Sequence, residues 1–294
     1  MYEYQNDDMN EKSLDADNDK SKTVRFQKYK DFGLTGLANV GNSCYLNACM
    51  QILSHTYELN EFLKKETYKD KLNRKPDTVL LLEWDKLRKM IWSDNCTIAP
   101  LGFVNAVKKV SVVKDRNLFA GNDQNDIQEF LLFVIECFHS ALSRDVNMQI
   151  TGNVNNKIDK LAKECYEMMK NMYRKEYSEM LNMFYGIHVS EISSCETGES
   201  LSIRPEPFSV LSLSIPSDVT SPTIHDCVDL YCAQEELSGD NAWMNDETNS
   251  KEDVKRGIIF WNLPEILIID LKRWRDNGSK NHTLVDTPLD DIDF

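Results

Sequence analysis

Residues 36–51 read GLANVGNSCYLNACMQ, and the rest of the chain is read outward from this stretch. Gly36 and Gly41 mark turns, after which Leu46, Cys49, Met50 and Leu53 recur at helical spacing, so a helix is predicted from about Cys44. A Cys at such a junction has its sulfur beside unpaired backbone N–H groups and the positive end of the helix dipole, and both favour a thiolate. Asn39 lies five residues earlier on the loop. From there its side-chain amide can point back toward the sulfur and donate to the oxyanion formed when a thiolate attacks a carbonyl. A lone Cys at a helix start is more often a small buried residue, and spacing alone leaves that reading open. Cys49, on the apolar face with Leu46 and Leu53, is read as such a core thiol.

Upstream, residues 1–20 carry seven acids and two lysines. So little apolar material cannot order a segment, and residues 1–30 are read as a solvated acidic tail. Structure is expected from about Phe32. Downstream, helical spacing predicts helices from about Val79 to Ile91, from Asp126 through Leu142, and over 161–183, with an Asn-rich loop over 144–160. From Phe184 the period falls toward two. Short strands are expected around 187–192, 200–203, 210–215 and 258–261, with turns and helix fragments over 216–257. The run Ile266–Leu271 reads as a strand buried on both faces. Helices first and strands second make the fold class α+β.

Composition narrows the function. The 294 residues carry 34 Lys+Arg against 48 Asp+Glu, a net charge of −14. Nucleic acid is an unfavourable partner for such a surface. No apolar run is long enough to span a membrane, and the acidic, polar start does not read as a signal peptide. Eight Cys without a secretory signal point to a reducing compartment, hence an intracellular protein of the cytoplasm or nucleus.

Four blocks carry a resemblance. Residues 36–53 resemble the Cys box of the ubiquitin-specific proteases, with Asn39, Gly41, Cys44, Tyr45, Asn47 and Gln51 on the family's positions and Ser43 in place of its commoner Thr. Asp123–Leu132, DQNDIQEFLL, is similar to the family's Gln-Gln-Asp-Ala-Gln-Glu-Phe-Leu helix. Glu206–Pro216, EPFSVLSLSIP, resembles the strand leading out of its fingers, and Leu263–Trp274, LPEILIIDLKRW, its Leu-Lys-Arg-Phe strand.

The resemblance implies a papain-like fold. A helical thumb would span 31–183, β fingers 184–262 and an incomplete β palm 263–294. It also implies thiol-dependent cleavage after the C-terminal glycine of ubiquitin, with Cys44 as nucleophile and Asn39 holding the oxyanion. Asp126 and Glu129 would pair with arginines of the ubiquitin tail, although acids at a helix start are also favoured by the macrodipole. Ubiquitin or ubiquitinated proteins are the implied partners, and no cofactor is expected.

Two departures qualify this expectation. Many members hold zinc in the fingers by two C-x-x-C pairs, whereas the matching positions here are Ser194 and Thr197 and the residues just after Trp243. Four soft or imidazole ligands are therefore not supplied, and no metal is expected. Cys227 and Cys232 are read as buried thiols. The family's His box is not met before Phe294, and of the five histidines only His282 lies near the expected palm strands, in what resembles an exposed hairpin. The sequence thus reads as an N-terminal portion of a deubiquitinase with little turnover of its own. The alternative is an inactive, ubiquitin-binding pseudo-enzyme.

Overall fold

The computed structural model describes residues 27–245, 248–275 and 277–289, an α+β protein. Most of the expected acidic tail, residues 1–26, lies outside the described residues. Order begins earlier than Phe32: residues 27–29 form a helical turn, and Tyr29 stacks on Tyr57 with ring centroids 4.4 Å apart. The chain divides into two compact units, one of residues up to Tyr57 with Leu82–Asn125, the other of Glu58–Leu81 with residues from Asp126 onward.

The first unit is built around α1 (Cys44–Ser54), whose Tyr45, Leu46, Cys49, Met50 and Leu53 are buried as the sequence period requires. A two-residue parallel pairing joins β1 (Gly36–Leu37) to β2 (Thr97–Ile98) and fixes the loop that enters α1. Thr35 anchors that loop by donating its hydroxyl to the carbonyls of Ile91 and Asp94. Gly33, at φ +71°, passes under Trp92, where a Cβ would come within 2.9 Å of the ring; only glycine fits. The Trp92 indole in turn donates to Ser54 at the far end of α1.

The second unit opens with α2 (Tyr57–Lys64), most of whose residues belong to it. Next comes α3 (Asp77–Ile91), which contributes residues to both units. Within the first unit, α3 carries the buried pair Asp85 and Arg88, with Nη2 2.7 Å from Oδ1. It is followed by α4 (Leu101–Val113), whose Phe103 meets Trp84 edge-on. Two helices, α2 and α4, fall where the sequence reading placed none.

Helix α5 (Ile127–Leu142) is the core of the second unit, burying Phe130, Leu131, Val134, Phe138 and Leu142 as expected from their spacing. The helix expected over 161–183 is in fact two: α6 (Lys157–Glu176) and α7 (Glu179–Phe184). The break has a local cause. Tyr177 leaves the helix to bridge Arg144, and Ser178 caps α7 by accepting from the Met180 N–H. The expected loop also ends earlier, at Asn156, which caps α6.

Four antiparallel strands follow in the order β4 (Ser200–Phe208), β3 (Gly186–Ser194), β9 (Val254–Asn262), β6 (Glu235–Leu237). Helix α6 packs on β4. A separate parallel pair joins β5 (Leu211–Leu213) to β10 (Ile269–Leu271). Its core is Leu211, Leu213, Ile224 and Cys227, the latter two from α8 (Ile224–Cys232), which a Thr223–Asp226 capping box starts. β7 (Trp243–Asn245) and β8 (Ser250–Glu252) make a small hairpin.

The run Ile266–Leu271 is a strand only over its last three residues and is half-buried throughout, a correction to the expected fully buried strand. Leu267, Ile269 and Leu271 pack on the α8 cluster, while the Ile266 amide is used on the Met183 carbonyl. Cys227 is fully buried, but Cys232 is only partly so, against the reading of both as buried thiols.

Candidate active site

The loop 38–43 delivers Cys44, exposed, to the first position of α1. Two residues make the turn by adopting left-handed backbone angles, Gly41 at φ +88° and Asn42 at φ +53°. Asn is among the few residues that tolerate this region. Asn42 also fastens the loop outward: its Nδ2 donates to the Asn122 carbonyl at 2.9 Å, and Lys108 Nζ donates to Asn122 Oδ1 at 2.6 Å. From the other side, Asn47 donates to the carbonyls of Leu37 and Ala38, both at 3.1 Å, and Gln51 donates to the Thr35 carbonyl at 2.8 Å. One turn of helix therefore grips the strand that leads into it.

Ser43 occupies the N-cap position, yet its side chain makes no cap hydrogen bond. Ser43 thus does not compete for the first-turn N–H groups beside Cys44, and a helix N-terminus is a place that favours an anion. Asn39, exposed on the same loop, accepts from the Ser43 N–H at 2.9 Å and from its hydroxyl at 3.2 Å. The structure therefore brings together the two residues singled out from sequence, Cys44 and Asn39, through the residue between them in the loop. Ser43 was not singled out; its signal was a hydroxyl at the N-cap position, four residues after a loop Asn.

Beneath the loop is a cavity of about 10 Å³, the space of a single water, bordered by Ser43, Tyr45, Leu46, Val104 and Val107. Burial pushes the Tyr45 phenol up, against a hydrogen bond from Asn125. Cys44 is thus an exposed thiol on a loop held by several hydrogen bonds rather than a buried core thiol.

His55 is the one histidine among the described residues of this unit. It ends α1, about 16 Å along the axis from Cys44. There its Nδ1 lies 2.8 Å from the Gln51 carbonyl and its ring packs on Trp92. In the second unit, His139 Nδ1 lies 2.7 Å from Ser178 Oγ. His188 stacks on Phe208 and contacts the Tyr231 hydroxyl. His225 belongs to α8, and His282 is exposed on a loop whose backbone carbonyls at Asn281 and Thr283 accept from Arg273.

Asp126 and Glu129 stand in the first turn of α5, in the second unit, both exposed. Asp126 caps the helix, its Oδ1 accepting from the Glu129 N–H at 3.0 Å. That is a capping role, at a helix end where the macrodipole also favours acids.

The residues read from sequence as standing where zinc ligands would be, Ser194, Thr197 and those just after Trp243, include side chains engaged in turns. Ser194 Oγ accepts from the Glu196 and Thr197 amides at one hairpin tip. At the other, Asn245 and Thr248 both donate to Glu252. Hydroxyls and amides already committed to turns are poor zinc ligands.

The sequence model of the family described as ubiquitin carboxyl-terminal hydrolase matches residues 35–294. Ubiquitin carboxyl-terminal hydrolase Usp2 of Drosophila melanogaster is 31% identical over 271 residues, covering 90% of this chain and 27% of the relative. Ubiquitin carboxyl-terminal hydrolase 2 of Homo sapiens is 30% identical over 274 residues, covering 89% of this chain and 44% of the relative. The chain thus spans less than half the length of these curated relatives. Among solved structures, the SAGA Ubp8/Sgf11/Sus1/Sgf73 DUB module bound to ubiquitin aldehyde matches with a TM-score of 0.62 and 22% identity, covering 87% of this chain and 51% of that one. The same module bound to monoubiquitin gives a TM-score of 0.63 at 21% identity. At this identity the likeness establishes the fold. Among the described residues, no helix is long and apolar enough to cross a membrane.

Proposed function

Because the chain belongs to the ubiquitin carboxyl-terminal hydrolase family, we propose that it acts on the C-terminal glycine of ubiquitin, with Cys44 as the nucleophile. The observation that carries this reading is the exposed Cys44 thiol at the uncapped start of α1, with the Asn39 amide tied one residue away. In this reading Cys44 Sγ attacks the glycine carbonyl, and the carbonyl oxygen becomes an oxyanion that Asn39 and the first-turn N–H groups meet as donors. Collapse of this intermediate expels the leaving amine, which takes a proton, and leaves a thioester that water hydrolyses. His55, at the far end of α1, is too distant from Cys44 to carry that proton. Asp126 and Glu129 receive the basic tail of ubiquitin, and the thumb, fingers and palm correspond to residues 31–183, 184–262 and 263–294. Such an enzyme acts in the cytoplasm or nucleus, where ubiquitin conjugates occur.

A ubiquitin C-terminal fluorogenic substrate tests the reading. Hydrolysis by the wild-type chain, however slow, that is lost in Cys44→Ala supports it; hydrolysis that survives this substitution overturns it. Tight binding of intact ubiquitin with no hydrolysis by the wild-type chain would favour the pseudo-enzyme instead.

A further inference from the structure

We propose that Ser43 is a positioning residue that fixes which face of the Asn39 amide is offered to the oxyanion. The inference rests on the assignment of Asn39 as an oxyanion donor and goes beyond it. Its warrant is the chemistry of three hydrogen bonds. A backbone N–H can only donate, so the Asn39 atom 2.9 Å from the Ser43 amide must be the carboxamide oxygen. By the same logic the Ser43 hydroxyl oxygen accepts from the Val40 N–H at 2.9 Å. Its own proton is therefore free to go to Asn39 Oδ1, 3.2 Å away.

The orientation of the amide is decided by donors, not by a choice between two look-alike atoms. With Oδ1 held by two donations from Ser43, the NH₂ end is left as the free end of the amide, and it donates to no other described residue. That is the end an oxyanion needs. Ser43 is 4% exposed and spends its hydroxyl on this bridge rather than on capping α1, which is the common use of a serine in that position. Without the hydroxyl, one of the two bonds holding Oδ1 is gone. The exposed side chain then rotates more freely, and the donor is no longer set before the reaction.

Ubiquitin aldehyde reads this directly and needs no catalytic base to complete a turnover. Cys44 Sγ adds to the aldehyde carbon, the C=O π pair moves to oxygen, the thiol proton ends on that oxygen, and nothing leaves. The measured quantity is the affinity for ubiquitin aldehyde divided by that for intact ubiquitin. Ser43→Ala is expected to lower the ratio about tenfold with ubiquitin affinity unchanged, and Asn39→Ala about a hundredfold. Ser43→Thr, which keeps the hydroxyl and has the small cavity beside it for its methyl, restores the ratio. The double variant falls no further than Asn39→Ala if Ser43 acts on the oxyanion through Asn39 and not through its bond with the Val40 N–H.

A ratio unchanged in Ser43→Ala overturns the proposal, as does a further loss on the Asn39→Ala background. If Ser43→Ala fails to fold, Ser43→Gly gives the same comparison, glycine being accepted at a helix N-cap. If the wild-type chain binds neither probe, the functional reading itself fails, and this inference with it. That outcome is distinct from binding in which Ser43 makes no difference.

Discussion

Asp126 has one role seen in the fold and one proposed for it. Its carboxylate caps α5 through the Glu129 N–H, and it is exposed to solvent where a basic peptide could meet it. The two roles separate on substitution. Asp126→Asn keeps a side-chain oxygen for the cap, and Asn is as good an N-cap as Asp, so the melting temperature should stay within a degree or two of wild type, as expected of a change of a few tenths of a kcal/mol. Ubiquitin binding should nevertheless weaken, because the charge is gone. Asp126→Ala should lose both, with about 1 kcal/mol of stability. Equal ubiquitin affinity in wild type and Asp126→Asn would show that the carboxylate is only a cap.

Glu179 gives a pH prediction at the same scale. Burial opposes its charge, but hydrogen bonds from Arg144, in bidentate contact at 2.7 and 3.0 Å, and from Lys71 outweigh that and pull its carboxyl from the ordinary 4.5 to about 2. A carboxylate whose folded pKa is depressed contributes stability above the unfolded value and loses it as pH falls through the folded one. Thermal melts from pH 5 down to 2 should therefore fall more steeply in wild type than in Glu179→Gln. Parallel curves would mean the Arg144 contact contributes nothing to folding.

At the scale of elements, legibility follows from how much of each signal is local. Helix α1 was readable because Leu46, Cys49, Met50 and Leu53 are all buried on one face and the turn before it needs a glycine. The division of 161–183 was not. Met168, Met169, Met172, Met180, Leu181 and Phe184 continue the apolar pattern across the break, whereas the cause, the Tyr177–Arg144 bridge, is set by a residue more than thirty positions away. The Ile266–Leu271 run misled for a related reason: apolar residues on both faces do not reveal that one backbone amide is spent on Met183.

Strand β3 depends on close approach at its first residue. A Cβ at Gly186 would fall 2.6 Å from the Phe208 ring and 2.8 Å from the Asn262 carbonyl oxygen, so it meets both neighbouring strands at once. Gly186→Ala should destabilise the protein by about 1–3 kcal/mol. Chemical denaturation measures this, and an unchanged midpoint would mean that the sheet opens to admit a methyl group.

At the scale of the whole molecule, the net charge of −14 first served only to exclude nucleic acid and now bears on the proposed partner. An acidic chain that receives a basic tail should bind faster and tighter at low ionic strength, since charges more than about 10 Å apart are screened in 0.1 M salt. Ubiquitin association rates measured from 20 to 500 mM salt should fall, with the dissociation rate nearly constant. A flat association rate would assign recognition to apolar and shape contacts instead.

That Cys44 stands at the start of a helix was legible, because a glycine turn followed by an amphipathic period leaves a local trace. Its proposed role as nucleophile was not legible from spacing and came from the resemblance of the whole Cys box to a family. The claim on which all else depends is that Cys44, among eight cysteines, is the one that meets the ubiquitin C-terminus. Cys96 and Cys195 are also exposed and serve as internal controls. The direct measurement is peptide mapping by mass spectrometry after reaction of the wild-type chain with ubiquitin bearing a C-terminal propargylamide. A single ubiquitin adduct on Cys44, absent from Cys44→Ala, is the predicted result; no adduct, or one on Cys96 or Cys195, would contradict it.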